Sequence, residues 1–402
     1  MNISVITAFT PTPENRGGIS ALIYSIISHR PKGIGIKVYS YNMNNIPLKE
    51  FEGLAKAMNV EMTEVKLPKW YRWISSKKWL VLPLSVVLKR PLVTYIVPDR
   101  KVIKGIMKYR SDLVWVYPYF FYNYAKCLPN MKFIVTGCDC ISNVGCTRFS
   151  DVFYAGDFKR SLRLFFSHRN SINVEEDFKQ DNIVMHYVGM KDCLFYKRLH
   201  HTDNAFFLLH PHYELKDKVI KFTEGKLSVL FAGRYNHYME CETNEFVASL
   251  RNCQQLRSLV KFAFLGKDWE PIVEKLQTLG YECSHKTWVD CYADELIKYD
   301  VQIAPISNGG GTKGKVLDSI GNGLLTIGSV YAFENICVRD KESCLLYKNA
   351  NEIPYILMSI ALHHDRYERM AENGRRQVRT YHNPQRISKR FFEIIMQDIK
   401  IF

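Results

Sequence analysis

Short apolar runs alternate along the whole chain with stretches whose apolar residues recur at helical spacing. Ile3 to Phe9 forms the first run, followed by a glycine-containing turn and a helical pattern from Ile19 to Ile27. Ile34 to Tyr41, Leu113 to Val116, Lys132 to Thr136 and Ala205 to His210 read as further strands. Between Phe51 and Arg110, and from Thr147 to Arg198, the pattern is charged and aromatic, and helix bounds are not defined. Glu214 to Gly225 is largely polar, and after it a second series begins with Leu227–Ala232, Leu259–Leu265 and Val301–Ile306. Runs of this length, rich in β-branched residues and separated by helical patterns, predict parallel strands in doubly wound α/β sheets. At 402 residues the chain exceeds what one core usually holds. Two Rossmann-like domains are expected, 1–212 and 213–384.

The richest chemistry follows Val301–Ile306. There Ser307-Asn308-Gly309-Gly310-Gly311-Thr312 leads into Lys313, Gly314 and Lys315, and then Val316, Leu317 and Ile320 recur at helical spacing before Asn322-Gly323. Glycines admit left-handed backbone angles and let N–H groups approach a ligand closely. A helix start adds unpaired N–H groups and a partial positive charge. Strand, glycine loop and helix therefore make an anion site, with Lys313 and Lys315 adding full charges. The alternative is an ordinary strand-to-helix turn.

The segment Gly309 to Asp318, with Gly321-Asn322-Gly323-Leu324-Leu325-Thr326 after it, resembles the nucleotide-sugar-binding segment of GT-B glycosyltransferases of the family-4 and group-1 type. The resemblance implies two Rossmann-like domains facing across a cleft, with a C-terminal helix (385–402) packing back on the N-terminal domain. It implies that the amides of Gly309, Gly310, Gly311 and Thr312 meet a donor diphosphate and that Asp318 bonds the nucleotide ribose. Gly233-Arg234 matches the family's Gly-Arg at the end of the first C-domain strand, whose arginine binds the diphosphate; a guanidinium fork suits its paired oxygens. Where the family adds a lysine this chain has Glu240, so Lys313 or Lys315 must supply the second cation. Gly266 ends the next strand beside the nucleotide, and Lys286-Thr287-Trp288-Val289 resembles the short strand that holds the base. In the N-terminal domain Gly17-Gly18 falls at the family's glycine pair. Cys138 occupies the place of a frequent histidine, and Asp139 after it contacts the sugar or caps the following helix. Arg234, Lys315 and Asp139 are thus the candidate catalytic residues. The resemblance implies retention of anomeric configuration, a nucleoside-diphosphate sugar as donor substrate and no metal or other cofactor.

Charge alters the picture. The chain carries a formal +15, and between Lys66 and Arg110 twelve Lys and Arg face one acid, Asp99. Trp70, Tyr71, Trp73 and Trp79 lie in the same stretch. Basic residues interleaved with aromatics suit a membrane interface, each cation adding about 1 kcal/mol near an anionic leaflet. No apolar run approaches the ~18 residues of a spanning helix. Nucleic acid is the other taker of positive charge, but no nucleic-acid-binding signature is present. The N-terminus lacks signal-peptide features, and eleven scattered cysteines point to a reducing compartment. Cys138, Cys140 and Cys146 match no zinc spacing. Taken with the resemblance, which implies a glycan or polyprenyl-linked acceptor in surface polysaccharide biosynthesis, these observations lead us to expect a cytoplasmic enzyme, peripheral at the inner face of the cell membrane. Two other readings compete: a GT-B-fold nucleotide-sugar epimerase, and a non-catalytic basic protein that binds membrane or polyanion.

Overall fold

The computed structural model describes residues 1–16, 19–154 and 156–399. The chain forms two compact units, Met1–Tyr213 with Pro384–Phe402, and Glu214–Asn383.

The first unit holds a seven-stranded sheet of β1 (Asn2–Thr7), β2 (Gly35–Ser40), β3 (Glu61–Glu64), β4 (Leu113–Tyr117), β5 (Phe133–Gly137), β6 (Ile183–Tyr187) and β7 (Ala205–Phe207). Their spatial order is β3-β2-β1-β4-β5-β6-β7, and every described pairing is parallel. All five residues of β4 are fully buried, as expected of a central strand covered on both faces. Val114 and Val116 enter the core on one face, while Leu113, Trp115 and Tyr117 enter the core on the other.

The helix Pro384–Ile399 closes that second face. Its Phe391, Phe392 and Ile395 are fully buried, Phe391 lies 4.7 Å from Trp115 between ring centroids, and Ser388 donates to the carbonyl of Ile26 at 2.7 Å. His186 of β6 also meets Phe391, and burial pulls its pKa down to about 3. It is therefore a neutral core residue.

The second unit repeats the plan with six strands: β8 (Leu227–Ala232), β9 (Val260–Leu265), β10 (Cys283–Lys286), β11 (Val301–Ala304), β12 (Leu325–Gly328) and β13 (Leu345–Leu346). Their order is β10-β9-β8-β11-β12-β13. In both units the order reverses beside the first strand, between β1 and β4 and between β8 and β11. Ligands of doubly wound sheets bind outside the carboxyl ends of strands at that point.

Three elements depart from the sequence expectation. β3 is polar and at the sheet edge, so no alternating apolar pattern marks it. β6 lies inside the charged and aromatic stretch 147–198, where no strand is expected, between the helices Phe158–Glu176 and Met190–His200. The strand expected at Lys286–Val289 lies earlier, because Cys283 to Lys286 pairs with Phe262 to Leu265 and the chain has left that ladder by Trp288.

The basic aromatic segment folds as helices Lys69–Ser76, Lys78–Val87 and Arg100–Lys108. The second of these is fastened to Phe158–Glu176. Arg169 donates to the carbonyl of Val86 at 2.9 Å, Asn173 to that of Lys89 at 2.9 Å, and Arg90 makes a two-pronged ion pair with Asp177. Carbonyls at a helix end that lack internal partners are thereby satisfied by a cation suited to the helix dipole.

Phe391→Ala should lower the stability of the first unit by about 3–5 kcal/mol, the usual cost of deleting a fully buried aromatic. Urea unfolding monitored within that unit measures it; a loss below ~1 kcal/mol would show that the C-terminal helix contributes little to that core.

Candidate functional site

The site of the second unit is built at the carboxyl ends of β8, β9 and β11. Gly233 follows β8 with φ +92°, and Gly266 follows β9 with φ +134°. A Cβ on Gly266 would stand 2.4 Å from the carbonyl oxygen of Gly233, so only glycine permits this approach of the two strand ends. The Gly233 carbonyl accepts from the indole of the buried Trp269 at 2.7 Å, and that of Gly266 bonds the ring of His285 at 2.7 Å. These bonds aim the next residue, Arg234, outward. Its side chain is 71% exposed, and its Nε donates to Asp268. Among the described residues its two terminal nitrogens make no hydrogen bond.

After β11 the loop is tied back at its first residue: Ser307 donates to the carbonyl of Tyr238 from both N–H (2.8 Å) and hydroxyl (2.9 Å). The three glycines then wrap the ammonium of Lys313, which donates to the carbonyls of Gly309, Gly310 and Gly311 at 3.2, 2.7 and 2.7 Å. Gly309 and Gly311 hold positive φ. In a trans peptide the N–H points opposite to its C=O. Three carbonyls turned to Lys313 therefore turn the amides of Gly310, Gly311 and Thr312 the other way, as a small anion-binding nest. Lys313 also lies 3.7 Å from Glu334, and both side chains are largely buried. Its charge is thus directed to its own loop and to Glu334 rather than outward.

Lys315 is placed differently. Its ammonium packs against Gly233, where an added Cβ would be 3.1 Å from Nζ, and lies 3.1 Å from the sulfur of Met239. It forms no ion pair among the described residues. Burial, and then the neighbouring charge of Lys313, pull its pKa from 10.5 to about 8. A cation enclosed without a carboxylate is costly unless an anion joins it.

The other expected residues are distributed as follows. Thr312 is half-buried at the loop's end, and Asp318 is largely buried on the helix Gly314–Gly321, where burial and then the nearby charge of Asp318 raise the pKa of the Tyr292 phenol. Trp288 stands in solvent at 75% exposure, while Val289 packs against the apolar cluster that includes Leu230, Ala232 and Leu265. Glu240 is exposed on the helix His237–Ser249. In the first unit Asp139 follows β5, and Gly17-Gly18 lie outside the described residues. Cys138 donates to the phenol of Tyr117 at 3.4 Å, and burial pushes its thiol up to about 12, so it stays protonated.

Residues 243–393 match the family model described as glycosyl transferase-like. The fold is that of GT-B glycosyltransferases, and the segment 243–393 is glycosyl transferase-like. Sucrose-phosphate synthase from Thermosynechococcus elongatus is similar at TM-score 0.68 and 12% identity, over 100% of both chains. HepE from Anabaena, solved with UDP, is similar at TM-score 0.63 and 10% identity, over 99% of this chain and 100% of that one. WaaG, a glycosyltransferase involved in lipopolysaccharide biosynthesis, is similar at TM-score 0.59 and 13% identity, over 96% and 98%. At these identities the likeness is one of fold. No curated protein matches the sequence.

Several residues that shape this site carry no sequence signal. Met239, Tyr238, Asp268 and Trp269 act through contacts between distant loops.

Gly266→Ala should cost on the order of 2–4 kcal/mol, from strain at positive φ and the clash with Gly233, as read by urea unfolding. For Lys315, the folded pKa of about 8 lies below the unfolded value of 10.5. Between the two the unfolded chain binds the extra proton, so stability rises with pH across that window and the full penalty acts below it. Ligand-free Lys315→Met should therefore melt above the wild type at pH 7, with the gap closing from pH 8 towards 10. A gap independent of pH would mean the ammonium is not enclosed as described.

Proposed function

We propose that this glycosyltransferase moves a sugar from a UDP-sugar to a hydroxyl of a glycan or lipid-linked acceptor at a membrane surface. The observation that carries the reading is the lysine at 315, enclosed without a carboxylate at the strand ends where the glycine nest and Arg234 also sit. A diphosphate supplies the anion this arrangement lacks. UDP is favoured as the nucleotide because HepE, of the same fold, is solved with UDP and with UDP-glucose.

The chemistry follows from the charges. As the bond between sugar and diphosphate breaks, negative charge grows on the departing phosphate. Fixed donors aimed at that charge are commonly the largest catalytic term. The amides of Gly310, Gly311 and Thr312, the fork of Arg234 and the ammonium of Lys315 take this role without a resident metal, and Lys313 acts as the pin that holds the amides in place. By resemblance to the family, Asp139 of the first unit is the candidate acceptor contact. Asp318 accepts from the ribose, and Trp288 and Val289 flank the base. Retention of configuration rests on resemblance to the family-4 type.

The membrane part of the reading rests on the exposed Trp70, Trp73 and Trp79 within the basic stretch 66–110. No helix among the described residues is long and apolar enough to cross a membrane, so contact would be with the surface, at the inner face of the cell membrane.

In a thermal-shift panel of UDP, GDP, ADP and CDP without added metal, UDP should give the largest rise. Saturation at ~100 Kd is worth ~2.7 kcal/mol. Arg234→Ala and Lys315→Met should each weaken UDP at least about tenfold, the scale of one charge-assisted bond. Affinity should also fall as pH rises above 8, because the lysine loses its proton. Silence from all four nucleotides would sink the assignment of the loop.

A further inference from the structure

A cavity of about 520 Å³ lies within the first unit, between the helices Lys78–Val87, Ile141–Tyr154 and Phe158–Glu176. One wall is apolar, formed by Leu84, Leu88, Leu92 and Leu164. The rest includes Asp139, Arg148 and Arg163, so two guanidinium groups face one carboxylate. Arg163 is exposed and makes no ion pair among the described residues. Arg148 is also exposed, so the cavity reaches the surface.

The outer faces of the same helices are unusual. Trp79 is 72% exposed, Tyr154 87% and Phe158 69%, with Leu162 and Phe165 also exposed. Phe153 lies 5.7 Å from Phe149 and 6.0 Å from Phe158, which makes an aromatic cluster at the tip of the hairpin. Lys159 and Arg160 flank it. Large apolar groups held in water beside cations are suited to a lipid interface, where rings sit at headgroup level and cations meet phosphates. The cavity therefore opens beside a surface that suits a bilayer, and its own lining pairs an apolar wall with a cation.

We propose that this cavity binds the phosphate end of a single-chain lipid phosphate, the acceptor's anchor, with the phosphate at Arg163 and the first part of the chain along Leu84, Leu88 and Leu164. The assignment rests on the transferase reading for its purpose, though not for its geometry. An arginine fork recognises phosphate oxygens in two-pronged fashion. Asp139 lines the same cavity.

The test is calorimetry on the full chain with farnesyl phosphate, farnesol and inorganic phosphate. Farnesyl phosphate should bind, with farnesol and inorganic phosphate each at least tenfold weaker. Arg163→Glu should weaken farnesyl phosphate about tenfold or more, and Leu84→Asp should do likewise, while both keep the wild-type thermal shift with UDP. Equal binding of farnesol and farnesyl phosphate, or unchanged binding in Arg163→Glu, would overturn the site. Vesicles with and without phosphatidylglycerol separate the sources of phosphate: if Arg163→Glu loses vesicle binding but keeps farnesyl phosphate, the arginine serves bilayer headgroups and the cavity assignment fails. Absence of a UDP shift with intact farnesyl phosphate binding would leave the lipid site standing and remove the transferase reading instead.

Discussion

The ammonium of Lys313 organises the loop after β11 by turning three carbonyls inward. Because each peptide plane is rigid, fixing the carbonyls fixes the amides on the opposite side. Glycine is required where φ is positive, at Gly309 and Gly311. Glu334 offsets the charge of Lys313 from the far side, so the loop is held without leaving a net cation of its own at the nest. A loop of three glycines would otherwise lose much conformational entropy on ordering. Here one side chain orders all three.

This arrangement separates two lysines that are only two residues apart. Lys313 lies just before the helix and folds back on the loop, whereas Lys315, in its first turn, reaches Gly233 and Met239. One is compensated within the protein and the other is not. A lowered lysine pKa beside strained glycines is the kind of local cost that proteins retain where a ligand repays it. The lysine that the family places after its Gly-Arg is replaced by Glu240, and the ammonium of Lys315 stands next to Met239, one position away in sequence.

The first unit shows a second kind of economy. Its helical additions between β3 and β4 and between β5 and β6 are fastened to each other by Arg169, Asn173 and the Arg90–Asp177 pair. That fastening lets the exposed aromatic faces remain ordered without a core behind them. It also leaves a cavity whose walls are contributed by helices far apart in the chain.

Much of this was legible from the amino-acid order alone. Buried parallel strands must be short and apolar on both faces, so β1, β4, β8, β9 and β11 announced themselves, and the glycine loop after β11 stood out by its composition. The polar edge strand β3 and the strand β6 were not legible, because neither produces a periodic pattern distinct from its surroundings. The individual duties of Lys313 and Lys315 were equally hidden: both are cations at the start of one helix, and only the paths of the side chains separate them. The close approach of Gly233 and Gly266, the indole bond from Trp269 and the sulfur contact of Met239 depend on which strand ends become neighbours. Periodicity and residue type are local properties of a chain. Which charge is left uncompensated is decided by distances between residues that sequence does not place side by side.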